Sequence, residues 1–467
     1  MRSVFSDQTA PARAGAGRPG APFGRTRGGT DERPNLVSTS IVTGFALFAM
    51  LFGAGNIIFP PYIGLVAGQD WVLGLIAYFF ADIGLAIMAW AALLTSRSVD
   101  RLENIFYRLG YYPSRLLTGG IILSVAYIAG PRTCTVSYDL TLAPFFGDEP
   151  WVRLAYTSVY SLLGWACCIR EDKMIELIGR RITPVLVLSL LTLIIVGMVN
   201  PLGYEMLPAR ADNIWVMGLM SGYQTMDAAC AVVFGFIIAQ DLAGRGYRSL
   251  ESKIKVITYA VWVMGFLMLV VYCGLCYIGA AASAQYGVGI RHGALVLSIF
   301  QNALGLEGRV LLSFVVFLAC VSTSAALVGA AATFLARLSG GRLEYGLLAT
   351  LIALSFGLIS CTGLANILAI AVPVILMLFP AFFLMAVISL FDRRIRNVNI
   401  YRFGVGFTLA YSILEVLRRQ GVEAVSFITA LPLQELGFGW ALPAALGCAA
   451  GYLARRGRAG EPPPAKR

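Results

Sequence analysis

Gly53, Ala54, Gly55 and Asn56 interrupt an apolar run that extends from Ile41 to Ala67, and Pro60 and Pro61 follow them. Glycine inside a helix costs about 1 kcal/mol relative to alanine, and unwound backbone has no partners in hydrocarbon. A break at this point therefore has to face protein or a polar cavity. It would free N–H groups at one half-helix end, which attract a carboxylate, and carbonyls at the other, which attract a cation. A second reading stays open, in which Gly-Ala-Gly is a close-packing surface and the two prolines only kink the helix.

Three more groups lie in apolar surroundings. Thr225 and Asp227 occur within SGYQTMDAACAVVFGFII, followed by the small residues Ala228 and Ala229. An ionisable group there costs about 2.5–3.5 kcal/mol on insertion scales, so it faces a cavity or a partner unless it lies at the outer interface and is simply hydrated. Ser322, Thr323 and Ser324 are consecutive in ACVSTSAALVGAAATFLA. Hydroxyls on a membrane helix often bond only the carbonyl a turn back, but three in a row point in three directions, and hydroxyl and carbonyl oxygens are hard-cation ligands. Arg132, in AGPRTCTVSYD, needs a carboxylate, carbonyls or water. Asp139 on the same face and Asp227 are its candidate partners, in a structural role that fixes the third span, with direct contact to a substrate as the alternative. Asp82 is also placed within an apolar run, with no partner evident from the sequence.

The elements that would position these groups are membrane helices. The chain has 467 residues, 58% of them hydrophobic and 13% charged, with a mean hydropathy of +0.76. Apolar runs of about 20 residues recur along it, each sufficient to cross ~30 Å of hydrocarbon. They predict spans near 40–66, 71–95, 116–139, 151–169, 182–200, 214–240, 253–282, 310–338, 344–360, 364–391, 400–417 and 434–454. Placing both termini on one side gathers 29 of the 36 Lys and Arg there, which marks that side as cytoplasmic and accounts for the net charge of +11 without a nucleic-acid partner. Residues 1–37 read as a disordered basic tail, 38–455 as one twelve-helix domain and 456–467 as a second tail. The nine cysteines fall mostly within spans and do not resemble a disulfide framework, and a single His292 gives the Cys273/Cys276 pair little support as a transition-metal site. An enzyme is disfavoured, because a phosphate-binding glycine loop with its Lys, a metalloprotease helix motif and a nucleophile elbow are all absent from the sequence.

FALFAMLFGAGNIIFPPYIGLVAG, PRTCTVSYDLTLAP, GYQTMDAACAVVFG and ACVSTSAALVGA occur in this order between about residues 38 and 455. Together they resemble the branched-chain amino acid:cation symporters, the LIVCS or BrnQ-type family of bacterial inner membranes. The resemblance implies Na⁺-coupled uptake of leucine, isoleucine and valine. It also implies an all-α integral membrane fold of the leucine-transporter kind, twelve transmembrane helices with a 5+5 inverted repeat and spans 1 and 6 broken at the midplane. Carried over, Gly53, Ala54, Gly55 and Asn56 meet the substrate, with its carboxylate on the first three. Thr225 and Asp227 are candidates for its amino group, while Ile128, Met226 and Val232 are candidates for its side chain. Na⁺ would be held by the carbonyls of Ala49, Phe52 and Ala319 and the hydroxyls of Ser322 and Thr323. The bilayer and a small amino acid are the expected partners, with no obligatory protein partner. An H⁺-coupled symporter and a non-transporting sensor on the same fold remain alternatives.

Overall fold

The computed structural model describes residues 35–95 and 106–454, except positions 148, 204, 248, 393, 396 and 435. The tail expected at 456–467 lies outside these residues, and so does all but the end of the tail expected at 1–37. The first helix already begins at Leu36, two residues before the expected domain boundary, because the Asn35 side chain accepts from the Val37 N–H and caps it.

Apolar helices make up the described chain. The first unit is split into α1a (Leu36–Leu51) and α1b (Ala54–Ala67). Next come α2, running from Trp71 to Thr95 through a π turn at Phe80–Gly84, and α3, from Tyr111 to Thr141 through a π turn at Val125–Ala129. They are followed by α4 (Pro150–Cys168) and by α5, from Glu171 to Val199 through a π turn at Ile178–Ile182. The sixth unit is again split, into α6a (Ile214–Thr225) and α6b (Asp227–Gly244). The remainder are α7 (Leu250–Ala281), α8 (His292–Leu338), α9 (Tyr345–Ser360), α10 (Leu364–Leu390), α11 (Val398–Arg419) and α12 (Ala441–Leu453). Among the described residues, eight helical stretches are long and apolar enough to cross a membrane, and α1a, α9 and α12 are shorter apolar helices.

Most expected boundaries hold to within a few residues; α5 starts at Glu171, eleven positions before the expected 182, and two further exceptions have local causes. α8 starts eighteen positions before the expected 310 and bends at Gly305, whose φ of 63° is open to glycine. α12 begins at Ala441 rather than 434, after a stretch of turns in which Leu433 adopts φ 65°.

α6b lies at the centre, since every residue from Asp227 to Ala239 is buried. α7 is two-sided. Its outer face exposes Tyr259, Trp262, Phe266 and Leu269 at helical spacing, as a lipid-facing stripe would, while Met264, Met268 and Tyr272 are buried. Glycines set the two approaches that build the centre. A Cβ on Gly64 would lie 1.9 Å from the Cys276 carbonyl oxygen, and one on Gly279 would lie 1.9 Å from that of Pro61, so α1b and α7 touch backbone to backbone. Gly218 and Gly222 do the same for α6a on α2, where added Cβ atoms would lie 2.6 Å from the carbonyls of Gly74 and Tyr78. That second approach brings the end of α6a beside the π turn that carries Asp82.

Candidate functional site

The two split helices face each other. α1a ends at Leu51, Phe52 donates its N–H to the Phe48 carbonyl at 2.7 Å, and Gly53 is extended (φ −104°, ψ −162°) with no side-chain cap over the first turn of α1b. The first-turn N–H groups of a helix have no partners within it, so this end of α1b is left to bind whatever enters. α6 breaks more sharply. Met226 sits in the left-handed region (φ 71°, ψ 12°), a conformation that costs a bulky residue free energy and concentrates at functional sites. Arg132 of α3 closes the α6a end by donating to the carbonyls of Gln224 and Thr225, each at 3.3 Å, as a cation should at a helix C-terminus. The expected pairing of Arg132 with Asp139 is replaced. Asp139 lies 3.7 Å from Arg153, and the carbonyls freed by the break draw the Arg132 guanidinium instead.

Behind the break is a buried polar chain. Asn56 donates to Asp227 Oδ2 at 2.7 Å and to the Tyr272 hydroxyl at 2.6 Å. Tyr272 donates to Asp82 Oδ2 at 2.7 Å, and the Thr225 hydroxyl is 2.7 Å from Asp82 Oδ1. Asp82 thus has two donors from helices remote in sequence. Trp90, two turns on in α2, donates its indole N–H to the Ala231 carbonyl and fixes α2 on α6b.

On the opposite side, oxygens from α1a and α8 converge. Ser322 Oγ is 2.9 Å from the carbonyl oxygens of both Ala49 and Ala319, and Thr323 Oγ1 is 3.3 Å and 3.1 Å from the same two. Four neutral oxygens from two helices, with no apolar side chain between them, form a donor set suited to a hard monovalent cation.

Between these two clusters lies a narrow cavity of about 20 Å³, far below the roughly 300–1,000 Å³ usual for small-molecule sites, so it has to widen to admit an amino acid. Gly53, Ala54, Gly55, Asn56, Thr225, Asp227 and Thr323 all line it, so one wall brings together seven of the residues singled out in the sequence. Arg132 and Thr133 add polar groups, and Met50, Leu51, Ala129 and Cys230 supply an apolar part. Ile128 is buried next to the cavity-lining Ala129, while the side chains of Met226 and Val232 are buried without lining the cavity. The glycines also resolve the two readings of Gly-Ala-Gly. A Cβ on Gly53 or Gly55 would have its nearest neighbour at 3.4 Å, so neither is a close-packing position, whereas Gly64, further along the same helix, is.

Tyr272 escaped the sequence reading. A hydroxyl-bearing aromatic in LVVYCGLCYIGA resembles an ordinary core residue, and the only hint was the unexplained charge of Asp82.

A family model described as branched-chain amino acid transport protein matches residues 37–458. The branched-chain amino acid permease BrnQ of Bacillus subtilis (strain 168) is 28% identical over 427 residues, covering 88% of this chain and 96% of the permease. The branched-chain amino acid transport system 3 carrier protein of Pseudomonas aeruginosa is 28% identical over 430 residues, covering 89% and 96%. Among solved structures, a substrate-bound, outward-open Na⁺-coupled sialic acid symporter superposes with a TM-score of 0.58 at 14% identity, over 90% of this chain and 91% of its own. The nucleobase-cation-symport-1 transporter Mhp1, in a closed conformation, gives 0.56 at 14% identity, over 88% and 91%. At that identity the likeness shows the fold alone, which is the leucine-transporter fold.

Proposed function

Since the chain belongs to the branched-chain amino acid transport protein family and is a multi-pass membrane transporter, not an enzyme, we propose that it carries leucine, isoleucine and valine into the cell together with Na⁺. The observation that carries this reading is the placement of Thr323, whose hydroxyl bonds the Ala49 and Ala319 carbonyls, on the wall of the same cavity that receives the uncapped end of α1b. The substrate carboxylate rests on the N–H groups of Gly53, Ala54 and Gly55, the ammonium turns toward Thr225 and Asp227, and the side chain lies against Met50, Leu51, Ala129 and Cys230. Na⁺ takes the oxygens between α1a and α8, with the Phe52 carbonyl joining them. Binding there favours the arrangement of the broken first helix that accepts the amino acid, and by linkage the amino acid favours Na⁺ equally.

The membrane is the bacterial inner membrane, crossed twelve times with both termini cytoplasmic; the Lys and Arg asymmetry of the sequence supports this orientation. Uptake of radiolabelled leucine into proteoliposomes tests the reading. It is expected to require an inward Na⁺ gradient. Uptake driven by a pH gradient in the absence of Na⁺ would transfer the coupling to H⁺, and leucine binding without uptake would make the protein a sensor.

Selectivity within the class should be shallow. One methylene in an apolar pocket is worth only about 1–3 kcal/mol, so isoleucine and valine are expected to compete with leucine within about two orders of magnitude. Asparagine and lysine are expected not to compete, because the apolar wall offers no partner for a buried amide or ammonium, which costs at least about 1–3 kcal/mol. Strong competition by lysine in the same uptake assay would overturn the substrate assignment.

A further inference from the structure

Two carboxyl groups stand together at the back of the cavity with no cation bonded to either. Asp82 is 1% exposed and Asp227 4%, and one buried chain joins them: Asn56 donates to Asp227 and to the Tyr272 hydroxyl, and Tyr272 donates to Asp82. The nearby cation, Arg132, directs its hydrogen bonds to carbonyls of α6a. Asp227 lines the cavity and Asp82 does not. Two neighbouring carboxyls in a dry interior resist being ionised together unless further positive charge arrives.

A second observation points into the same place. The Tyr78 hydroxyl, from the turn of α2 before Asp82, is wholly buried and has no hydrogen-bond partner among the described residues. Its ring packs edge-on against Tyr272 at 5.1 Å, and its hydroxyl is within electrostatic reach of Asp82 and Asp227. A donor held in reserve beside a carboxyl is suited to a state in which that carboxyl carries more negative charge than it does here.

We infer that Asp82 and Asp227 form a proton-binding site that holds one shared proton when the cavity is empty and releases it when the amino acid and Na⁺ bind. The inference rests on the substrate and cation placement proposed above. In the empty protein one ionised carboxylate balances Arg132. When Na⁺ arrives between α1a and α8 and the substrate ammonium approaches Asp227, a second negative charge is needed for neutrality, and the zwitterion itself adds none. The O–H bond of the shared proton then breaks and the proton passes to cavity water. Both carboxylates stay ionised, Asp227 facing the ammonium and Asp82 accepting from Thr225, Tyr272 and Tyr78. The other titratable or charged groups around the pair are Tyr78 on α2, Tyr272 and Cys276 on α7, Cys230 on α6b and Arg132 on α3. None of these has to change charge in the exchange.

The sign of the pH dependence follows. Binding that releases a proton strengthens as pH rises, by up to about tenfold per unit where release approaches one proton. The test is calorimetry of the purified full-length protein titrated first with Na⁺ and then with leucine, the proton release of the two steps being added, in pairs of buffers with different ionisation enthalpies, between about pH 5.5 and 8. Net proton release over the two steps approaching one per leucine is expected in part of that window. Asp82→Asn, whose amide imitates a permanently protonated carboxyl, is expected to abolish the release and flatten the pH profile. Tyr78→Phe removes the reserve donor and is expected to move the release to higher pH by about one unit. Na⁺ and leucine binding by the wild type with no proton release in either step across the window would overturn the inference, and so would proton uptake, which is the signature of H⁺ symport. Wild-type release persisting in Asp82→Asn would overturn it too. Absence of leucine binding at every pH would strike at the substrate reading instead, and the proton linkage would fall with it.

Discussion

Gly55→Leu is expected to abolish leucine binding and uptake while the helical bundle still assembles. The Cβ alone finds room, with its nearest neighbours the Phe59 ring at 3.4 Å and Thr225 Cγ2 at 3.7 Å. The rest of a leucine side chain then projects toward the cavity that Gly55 lines, where it takes the space the substrate needs and covers the N–H groups at the start of α1b. A loss greater than about 100-fold in affinity follows from excluding the carboxylate from charge-assisted bonds alone, at roughly 1.5–3 kcal/mol each. The control is Gly279→Ala. Its Cβ would stand 1.9 Å from a backbone oxygen of α1b, which no rotamer change relieves, so the folded protein itself should be lost. Yield, gel-filtration profile and thermal unfolding separate the two variants. A Gly55→Leu protein that binds leucine normally, or one that fails to fold as Gly279→Ala does, would overturn the placement of the site.

Most of the site was legible in the sequence because membrane helices penalise polar groups, so each exception announces itself. Gly53–Asn56, Thr225 with Asp227, and Ser322 with Thr323 were visible as breaks in apolar runs, and all but Ser322 line one cavity. What stayed hidden depends on rotation and depth. Three hydroxyls in a row do not say which of them faces α1a. The bonds to Ala49 from Ser322 and Thr323 answer that for two, and only Thr323 also reaches the cavity. The pairing of Asp82 was equally invisible, because it depends on Gly218 and Gly222 pressing α6a onto α2, and glycines at four-residue spacing are common in membrane helices for many reasons. Arg132 shows the same limit. Its sequence neighbour Asp139 was the simple partner, yet the broken end of α6a, a feature of tertiary structure, provides the acceptors. The expected apolar contacts at Ile128, Met226 and Val232 came from neighbouring positions, and on a helix one position is a rotation of 100°, enough to move a side chain from the cavity wall into the packing behind it.

Thr323→Ala is expected to raise the Na⁺ concentration needed for half-maximal uptake by about ten- to a hundredfold, with a much smaller effect on stability. Losing one neutral ligand to a bound cation is comparable to losing a hydrogen bond to a charged group, roughly 1.5–3 kcal/mol. The structural cost is less, because the carbonyls of Ala49 and Ala319 that Thr323 contacts at 3.3 Å and 3.1 Å keep the shorter 2.9 Å bonds from Ser322. Neither acceptor is orphaned, so the folded state should lose only about 1 kcal/mol. Thr323→Ser keeps the oxygen and should remain within a few-fold of the wild type, which distinguishes a ligand role from the loss of a methyl group. The coupling also gives a signature that packing cannot imitate. If Na⁺ and amino acid favour each other, Thr323→Ala weakens leucine binding at low Na⁺ and recovers it at high Na⁺, whereas a packing defect lowers both alike. Uptake measured across a Na⁺ series in proteoliposomes reads this directly. A Thr323→Ala protein with the wild-type Na⁺ activation curve would remove the cation from the α1a and α8 interface and leave the role of those four oxygens structural.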